Sequence, residues 1–184
     1  MFSYSIIIFE NAGIPSEYSG LATVGLGIFF LSGTIIALFI VNRFNRLTVL
    51  FYCLIAISVL CVVFTVMLSI SGNQVLDYLS MIPLFGYMIF FNIGPGPIAW
   101  MIAGESVPSR FKAAVASLGS ASLFLSTFIV GLVFPFLEES IGGYSFLIFA
   151  GFSVASVFYV KFCCVETRGR TVEQVMYDFE AKLK

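Results

Sequence analysis

The stretch FFNIGPGPIAW, Phe90–Trp100, lies inside the uncharged run Tyr78–Gly104, which is long enough to cross a bilayer. Pro95 and Pro97 each remove a backbone N–H donor and crowd the carbonyl four residues earlier, so a helix through this stretch cannot be regular. In a membrane, freed carbonyls are tolerated only against protein or a wet cavity. The break therefore predicts either a transport pathway or a kink packed against neighbouring helices, and these residues alone leave both interpretations open.

The composition is that of a membrane protein. Of the 184 residues, 60% are hydrophobic and only 10% are charged, whereas soluble domains carry about 25% charged residues. Long uncharged runs each reach the roughly 20 residues that a helix needs to cross the hydrocarbon. We predict an all-α bundle over 1–164, with complete spans near 18–42, 47–71, 78–104, 113–137 and 143–163, and a tail over 165–184.

Charge sign alternates between the two ends of these runs. All nine basic residues follow the first, third or fifth complete run. The opposite ends carry only acidic residues, namely Glu10, Glu17, Asp77, Glu138 and Glu139. By the positive-inside rule the basic side is cytoplasmic, and the tail with it.

The first residues do not complete a span. A helix over Met1–Phe9 reaches roughly 13 Å, which is under half of the membrane thickness. The segment also lacks the basic start and the small-residue cleavage site of a signal peptide. We therefore expect a truncated first span at about 1–13, in a chain that begins partway through a helix.

The residue types exclude several classes of chemistry. The chain has no histidine, which excludes imidazole proton relays and histidine-bound metals. We find no nucleophile–base constellation, ring of charges or filter-like repeat, and we expect neither an enzyme nor a channel, no cofactor and no nucleic-acid partner. The four cysteines favour small apolar side chains, although the adjacent Cys163 and Cys164 could be palmitoylated.

Five stretches follow one another across nearly the whole chain. They are FSYSIIIFENAGI at 2–14, NRFNR at 42–46, GPGPIAW at 94–100, GESVPSRFKAA at 104–114 and VETRGRT at 165–171. Together they resemble the carboxy-terminal half of a facilitative sugar (glucose) transporter of the major facilitator superfamily. The resemblance implies a six-helix half-bundle that works by alternating access around a midplane sugar site.

The resemblance also implies which residues bind the solute. Trp100 would stack on a sugar ring, and Asn92 would stand where an acidic residue usually touches the hydroxyls. Phe124 and Thr127 replace a more polar patch that contains a tryptophan, and Phe30 replaces an asparagine. Because these changes make the site more apolar than a glucose site, fructose, another polyol or a less polar solute stays open.

Two further sets of residues are implied as moving parts. The outer gate would include Tyr4, and the flexible gate in the broken span would consist of Gly94, Pro95, Gly96 and Pro97. A cytoplasmic latch would consist of Arg43, Arg46, Glu105, Lys112, Glu166 and Arg168. In it Arg46 would pair with Glu105, and Glu166 with another basic residue; such pairs contribute only about 0–1 kcal/mol each and can release. The same charges could instead only anchor helix ends.

Two functions remain open. The first is facilitative uniport of a hexose or related small polar solute, in the plasma membrane, with the lipid bilayer and a missing amino-terminal half as partners. Passive transport is expected because the interior runs contain no acid or base for proton coupling. The alternative is a non-transporting or regulatory truncated membrane protein that pairs with full-length transporters. An upstream reading frame for six more spans would favour the first, and a true start at Met1 the second.

Overall fold

The structure is a computed structural model and describes residues 16–69 and 79–183. Within these ranges the chain forms seven α-helices and no β-strand. The helices are α1 (Ser16–Arg43), α2 (Arg46–Ser69), α3 (Met81–Ile93), α4 (Pro95–Glu105), α5 (Lys112–Ile141), α6 (Ser145–Cys163) and α7 (Val172–Leu183). Short 3₁₀ turns, Ser109–Phe111 and Gly142–Tyr144, precede α5 and α6. Tyr4 and the span predicted at 1–13 lie outside the described residues.

Helices α1 to α6 are apolar around most of their circumference, which is typical of helices in lipid. A helix bonds its own backbone polar groups, so these segments need no water in the bilayer. In the part of the chain that the structure describes, four continuous segments are long and apolar enough to cross a membrane: Val24–Arg43, Arg46–Ser69, Met81–Glu105 and Ser109–Cys163. The prediction of an all-α membrane protein is confirmed.

The segment Ser109–Cys163 contains two helices that fold back on each other. The ring of Phe134 in α5 lies 5.8 Å from that of Phe146 and 6.1 Å from that of Phe149, both in α6. In one straight helix, residues 134 and 149 would be roughly 22 Å apart. The reversal occurs at Gly142, whose φ of +55° favours glycine.

Helix α2 is the centre of the bundle and packs against α3 on one side and α6 on the other. Helix α1 lies on α3, where a Cβ built on Gly33 would be 3.2 Å from the backbone of Ile89, so that the two backbones approach closely. Among the described elements, helix α5 contacts mainly α4 and the start of α6. Many of its large apolar side chains are exposed, among them Leu118, Phe128 and Leu132.

Helix α7 folds back toward the end of α6. It begins with a capping box, in which the Thr171 hydroxyl accepts the N–H of Gln174 at 3.4 Å and the Gln174 amide oxygen accepts the N–H of Thr171 at 3.1 Å. Its apolar face is covered, since Val175 is 1% exposed. Lys182 donates to the carbonyl of Cys164, which holds the tail against the end of the bundle.

Candidate substrate-binding site

Gly94 separates α3 from α4 with φ −105° and ψ −92°. Helical bonding continues across it, because Gly94 N–H donates to Phe90 O at 3.0 Å and Ile98 N–H donates to Gly94 O at 3.1 Å. A Cβ built on Gly94 would lie 2.4 Å from the Cβ of Cys53 in α2, closer than real Cβ contacts. Glycine is therefore required where the broken span crosses α2.

The carbonyls freed by the prolines lie on two sides of this break. Pro95 and Pro97 lack the N–H groups that would bond the carbonyls of Phe91 and Ile93. Phe91 and Pro95 line a cavity of about 980 Å³ between α4 and α5, whereas Ile93 is buried against α2. The break thus borders an open space on one side and a packed interface on the other.

The cavity has an aromatic wall and a hydroxyl-bearing wall. Tyr87 and Phe91 of α3 stack with ring centroids 6.0 Å apart, and Trp100 of α4 lies further along the same wall. Opposite them, α5 presents Ser122, Ser126 and Thr127. Aromatic faces suit the apolar faces of a sugar ring, and hydroxyl groups bond to its hydroxyls. The volume is at the upper end of the range for small-molecule sites.

Trp100 is held against α5 at a glycine. A Cβ on Gly119 would lie 3.3 Å from Cζ3 of the indole, so the ring lies close to the backbone of α5. The side chain remains 40% exposed, with part of its surface toward the cavity. Of the residues proposed from the sequence, Trp100, Thr127, Pro95 and Gly96 come together around this space.

The structure places the other proposed binding residues elsewhere. Asn92 is 8% exposed, donates to Met88 O at 2.9 Å and packs against Gly33 of α1. Phe30 packs against the core cluster of Leu26. Phe124 is 70% exposed on α5 and lies outside the cavity. Each helical residue is rotated by 100° from the next, so Phe91 faces the cavity and Asn92 does not.

The cavity residues that were not singled out from the sequence include two aromatic residues and two serines: Tyr87, Phe91, Ser122 and Ser126. A helical signal for them exists. Tyr87 and Phe91 precede Pro95 by eight and four residues, and Ser122 and Ser126 follow each other at the same spacing of four on α5. Residues four apart share one face of a helix. Extending the helical face of Pro95 toward the start of α3 in steps of four residues therefore predicts both aromatic residues.

A polar cluster lies at the basic end of the bundle, defined as the end where α1 ends and α2 begins. Arg46, the first residue of α2, forms an ion pair with Glu105, the last residue of α4. The Arg46 side chain is 13% exposed and that of Glu105 is 39% exposed. This ion pair joins α4, the helix after the Gly94 break, to α2 at the centre of the bundle. Arg43 and Lys112 are exposed, and no ion pair of either occurs within 16–69 and 79–183.

Glu166 binds backbone amides in place of the basic side chain that was expected. Its Oε1 accepts the N–H of Arg46 at 3.2 Å and its Oε2 accepts the N–H of Leu47 at 3.1 Å. These amides open α2, where the helix dipole favours a carboxylate. Arg168 donates to Asn42 O at 2.6 Å, at the end of α1. The loop after α6 therefore caps both helices that meet at the α1–α2 turn.

Glu166→Gln is expected to destabilise this end of the bundle. A neutral amide keeps one acceptor but loses the charge-assisted bonds, at a cost of about 1 kcal/mol. The unfolding midpoint in detergent should fall by about 2–4 °C, and hydrogen exchange at residues 46 and 47 should accelerate. Glu173→Gln is the matched control: it removes an exposed carboxylate from the first turn of α7 and should leave the exchange at residues 46 and 47 unchanged. Unchanged exchange in Glu166→Gln would contradict the capping role.

The chain matches the family model "Sugar (and other) transporter" over residues 1–179. It is 33% identical over 180 residues to the facilitated glucose transporter member 1 of solute carrier family 2 from Gallus gallus, which covers 97% of this chain and 36% of that protein. It is 35% identical over 184 residues to member 3 from the same organism, covering 100% of this chain and 36% of that protein. The chain thus spans about a third of the length of these relatives.

Solved structures show the same fold at low identity. A double tryptophan mutant of XylE superposes with a TM-score of 0.83 at 20% identity, covering 96% of this chain and 38% of that one. A D-xylose–proton symporter gives a TM-score of 0.82 at 20% identity, covering 91% and 39%. These values support the predicted half-bundle of the major facilitator superfamily. The chain is an integral multi-pass membrane protein and belongs to the sugar transporter family.

Proposed function

We propose that this chain provides the carboxy-terminal half of a facilitative uniporter that moves a hexose or related small polar solute by alternating access. The observation that carries the proposal is the cavity beside the Gly94 break, with Trp100 on one wall and the hydroxyls of α5 on the other. Sugars need both an apolar face and hydroxyl partners, and this space offers both. The matched relatives are described as facilitated glucose transporters, which agrees with such a solute.

Passive transport is favoured over proton coupling. Coupling requires a titratable group of suitable pKa at membrane depth. The described residues that line the cavity include no aspartate, glutamate, lysine or arginine. The D-xylose–proton symporter shares the fold at 20% identity, and fold alone does not transfer its coupling.

An amino-terminal half is the proposed partner because the described residues wall the cavity mainly on two sides. Helices α3 and α4 form one side, α5 forms the other and α6 adds Phe146 and Phe149, while much of the remaining surface of α5 is exposed. Alternating access requires a second half against which this one rocks. The proposed setting is the plasma membrane, with the basic end and the carboxy terminus in the cytoplasm.

The break and the ion pair suggest how the inner side opens. Helix α4 begins beside Gly94 and ends at Glu105, which is bound to Arg46 of α2. Release of this pair would free the far end of α4 to swing about the break. An ion pair at a partly wet surface contributes about 0–1 kcal/mol, which suits a contact that forms and parts in every cycle.

The test is uptake of labelled glucose and fructose in hexose-transport-deficient cells that express the chain alone, or with an amino-terminal half from a relative. Saturable uptake in the paired sample only is expected. Absence of uptake in both samples, with the protein shown to be at the membrane, would overturn the proposal. That result would favour the alternative of a non-transporting protein that pairs with full-length transporters. Such a protein should alter the uptake by a co-expressed full-length transporter.

Ser122→Ala and Ser126→Ala are expected to raise the KM for the transported sugar about two- to tenfold each. Each substitution removes one hydroxyl from the cavity wall, and a hydrogen bond contributes about 0.5–1.5 kcal/mol. Ser117→Ala is the control, because Ser117 lies on α5 outside the cavity and bonds the carbonyl of Ala113. An equal rise of KM in Ser117→Ala would show that the cavity face of α5 does not contact the solute.

A further inference from the structure

Three basic residues in the chain are each followed directly by phenylalanine: Arg43–Phe44, Arg110–Phe111 and Lys161–Phe162. No other lysine or arginine in the sequence precedes a phenylalanine. The pairs lie in the α1–α2 turn, in the 3₁₀ turn before α5 and near the end of α6. Each therefore stands where the chain passes between an apolar helix and a polar connection.

The three pairs share the basic end of the bundle. The turn after α1 is tied to the residues after α6 by the bond from Arg168 to Asn42 O. The start of α2 is tied to the end of α4, shortly before the second pair, by the Arg46–Glu105 ion pair. These contacts between distant parts of the chain thus hold the pairs at the same end of the bundle.

Both members of each pair are exposed. Phe44, Phe111 and Phe162 are 53%, 48% and 64% exposed, and their basic neighbours are exposed as well. The guanidinium of Arg110 lies 4.6 Å from the centroid of the Phe111 ring, and Nζ of Lys161 lies 5.9 Å from that of Phe162. These distances are those of cation–π contacts. Each pair presents an apolar ring and a positive charge side by side.

Three of the described acidic side chains near this end are engaged. Glu105 and Asp178 are in ion pairs, and Glu166 is bound to backbone amides. Glu173 is exposed in the first turn of α7. Within 16–69 and 79–183 the cations of the three pairs form no ion pair. Their charge is available to an external anion.

We propose that these pairs form a cation–phenylalanine belt that binds the headgroups of anionic phospholipids at the basic end. The phenylalanine ring would sit at the boundary of the acyl chains while the long basic side chain reaches the phosphate level. An apolar ring next to an uncompensated cation fits a lipid that has an apolar tail and an anionic head. The inference does not depend on the solute or on transport.

The test is lipid retention by the full chain, extracted in detergent with equal amounts of phosphatidylserine and phosphatidylcholine and measured by native mass spectrometry. The unmodified chain should retain phosphatidylserine in preference. Arg43→Gln, Arg110→Gln and Lys161→Gln should each lower that preference about fivefold at the affected site, the effect of one basic residue near an anionic surface. High salt should weaken the preference in the unmodified chain.

Lys112→Gln is the matched control, because Lys112 is exposed at the same end but is followed by alanine. It should leave the preference unchanged, whereas Phe162→Ala should lower it. A loss in Lys112→Gln equal to that in Lys161→Gln would replace the belt by a general charge effect and overturn the proposal. An unchanged preference in all three belt variants would also overturn it. Loss of lipid retention when an amino-terminal half is co-expressed would overturn it too, because that result would assign the surface to that half.

Discussion

Gly94→Ala is expected to prevent the chain from reaching its folded state in normal amounts. The new methyl group would lie 2.4 Å from the Cβ of Cys53, and both belong to rigid backbone segments, so neither can turn away. Helices α2 and α4 would have to separate where Ile98, 0% exposed, packs against Leu50 and Leu54. Overpacking of this kind costs about 1–3 kcal/mol and sometimes more. Membrane abundance and the unfolding midpoint in detergent should both fall.

Two comparisons separate this clash from a general effect of losing glycine. Gly104 lies in α4, the helix that begins directly after Gly94, and has open space around it, so Gly104→Ala should behave like the unmodified protein or be slightly more stable. Cys53→Ala should not rescue Gly94→Ala, since alanine keeps the Cβ, whereas Cys53→Gly should rescue it in part. Equal behaviour of Gly94→Ala and Gly104→Ala would show that the close approach of α2 and α4 is not a requirement of the fold.

Trp100→Ala is expected to reduce sugar uptake by the paired sample about ten- to a hundredfold. The substitution removes the indole ring from the aromatic wall of the cavity. An aromatic contact contributes about 0.5–1.5 kcal/mol beyond the area that it buries, and each 1.4 kcal/mol is a factor of ten in affinity. Trp100→Phe keeps part of that face and should lose less than tenfold. Uptake would be compared at equal amounts of protein in the membrane.

Phe124→Ala is the variant to compare with Trp100→Ala. The sequence resemblance places Phe124 at the solute, whereas it is 70% exposed and outside the cavity within this chain. If the cavity beside Trp100 is the solute site, Phe124→Ala should retain nearly full uptake. A loss as large as that of Trp100→Ala would favour the placement from the resemblance. It would mean that the solute contacts a face of α5 other than the one lining this cavity.

The long apolar helices could be predicted from the sequence. All five long uncharged runs overlap a described helix or broken helix, because a membrane demands long apolar segments with internally bonded backbones. At α5 the helix ends beyond the uncharged run. The acidic residues at 138 and 139 suggested an end at 137, but the helix runs to Ile141 and Gly142 stops it. Charge marks the membrane surface, and backbone conformation ends the helix.

The sequence by itself determined the apolar spans, the break at Gly94–Pro97 and the collection of basic residues at one end, because each follows from residue types within one segment. The tertiary structure decided which faces meet. It turned Phe91 toward the cavity and Asn92 toward α1, and it gave Glu166 the amides of α2 in place of a basic side chain. These outcomes depend on helix rotation and packing between distant residues, such as the contact of Gly94 with Cys53, which no single segment contains.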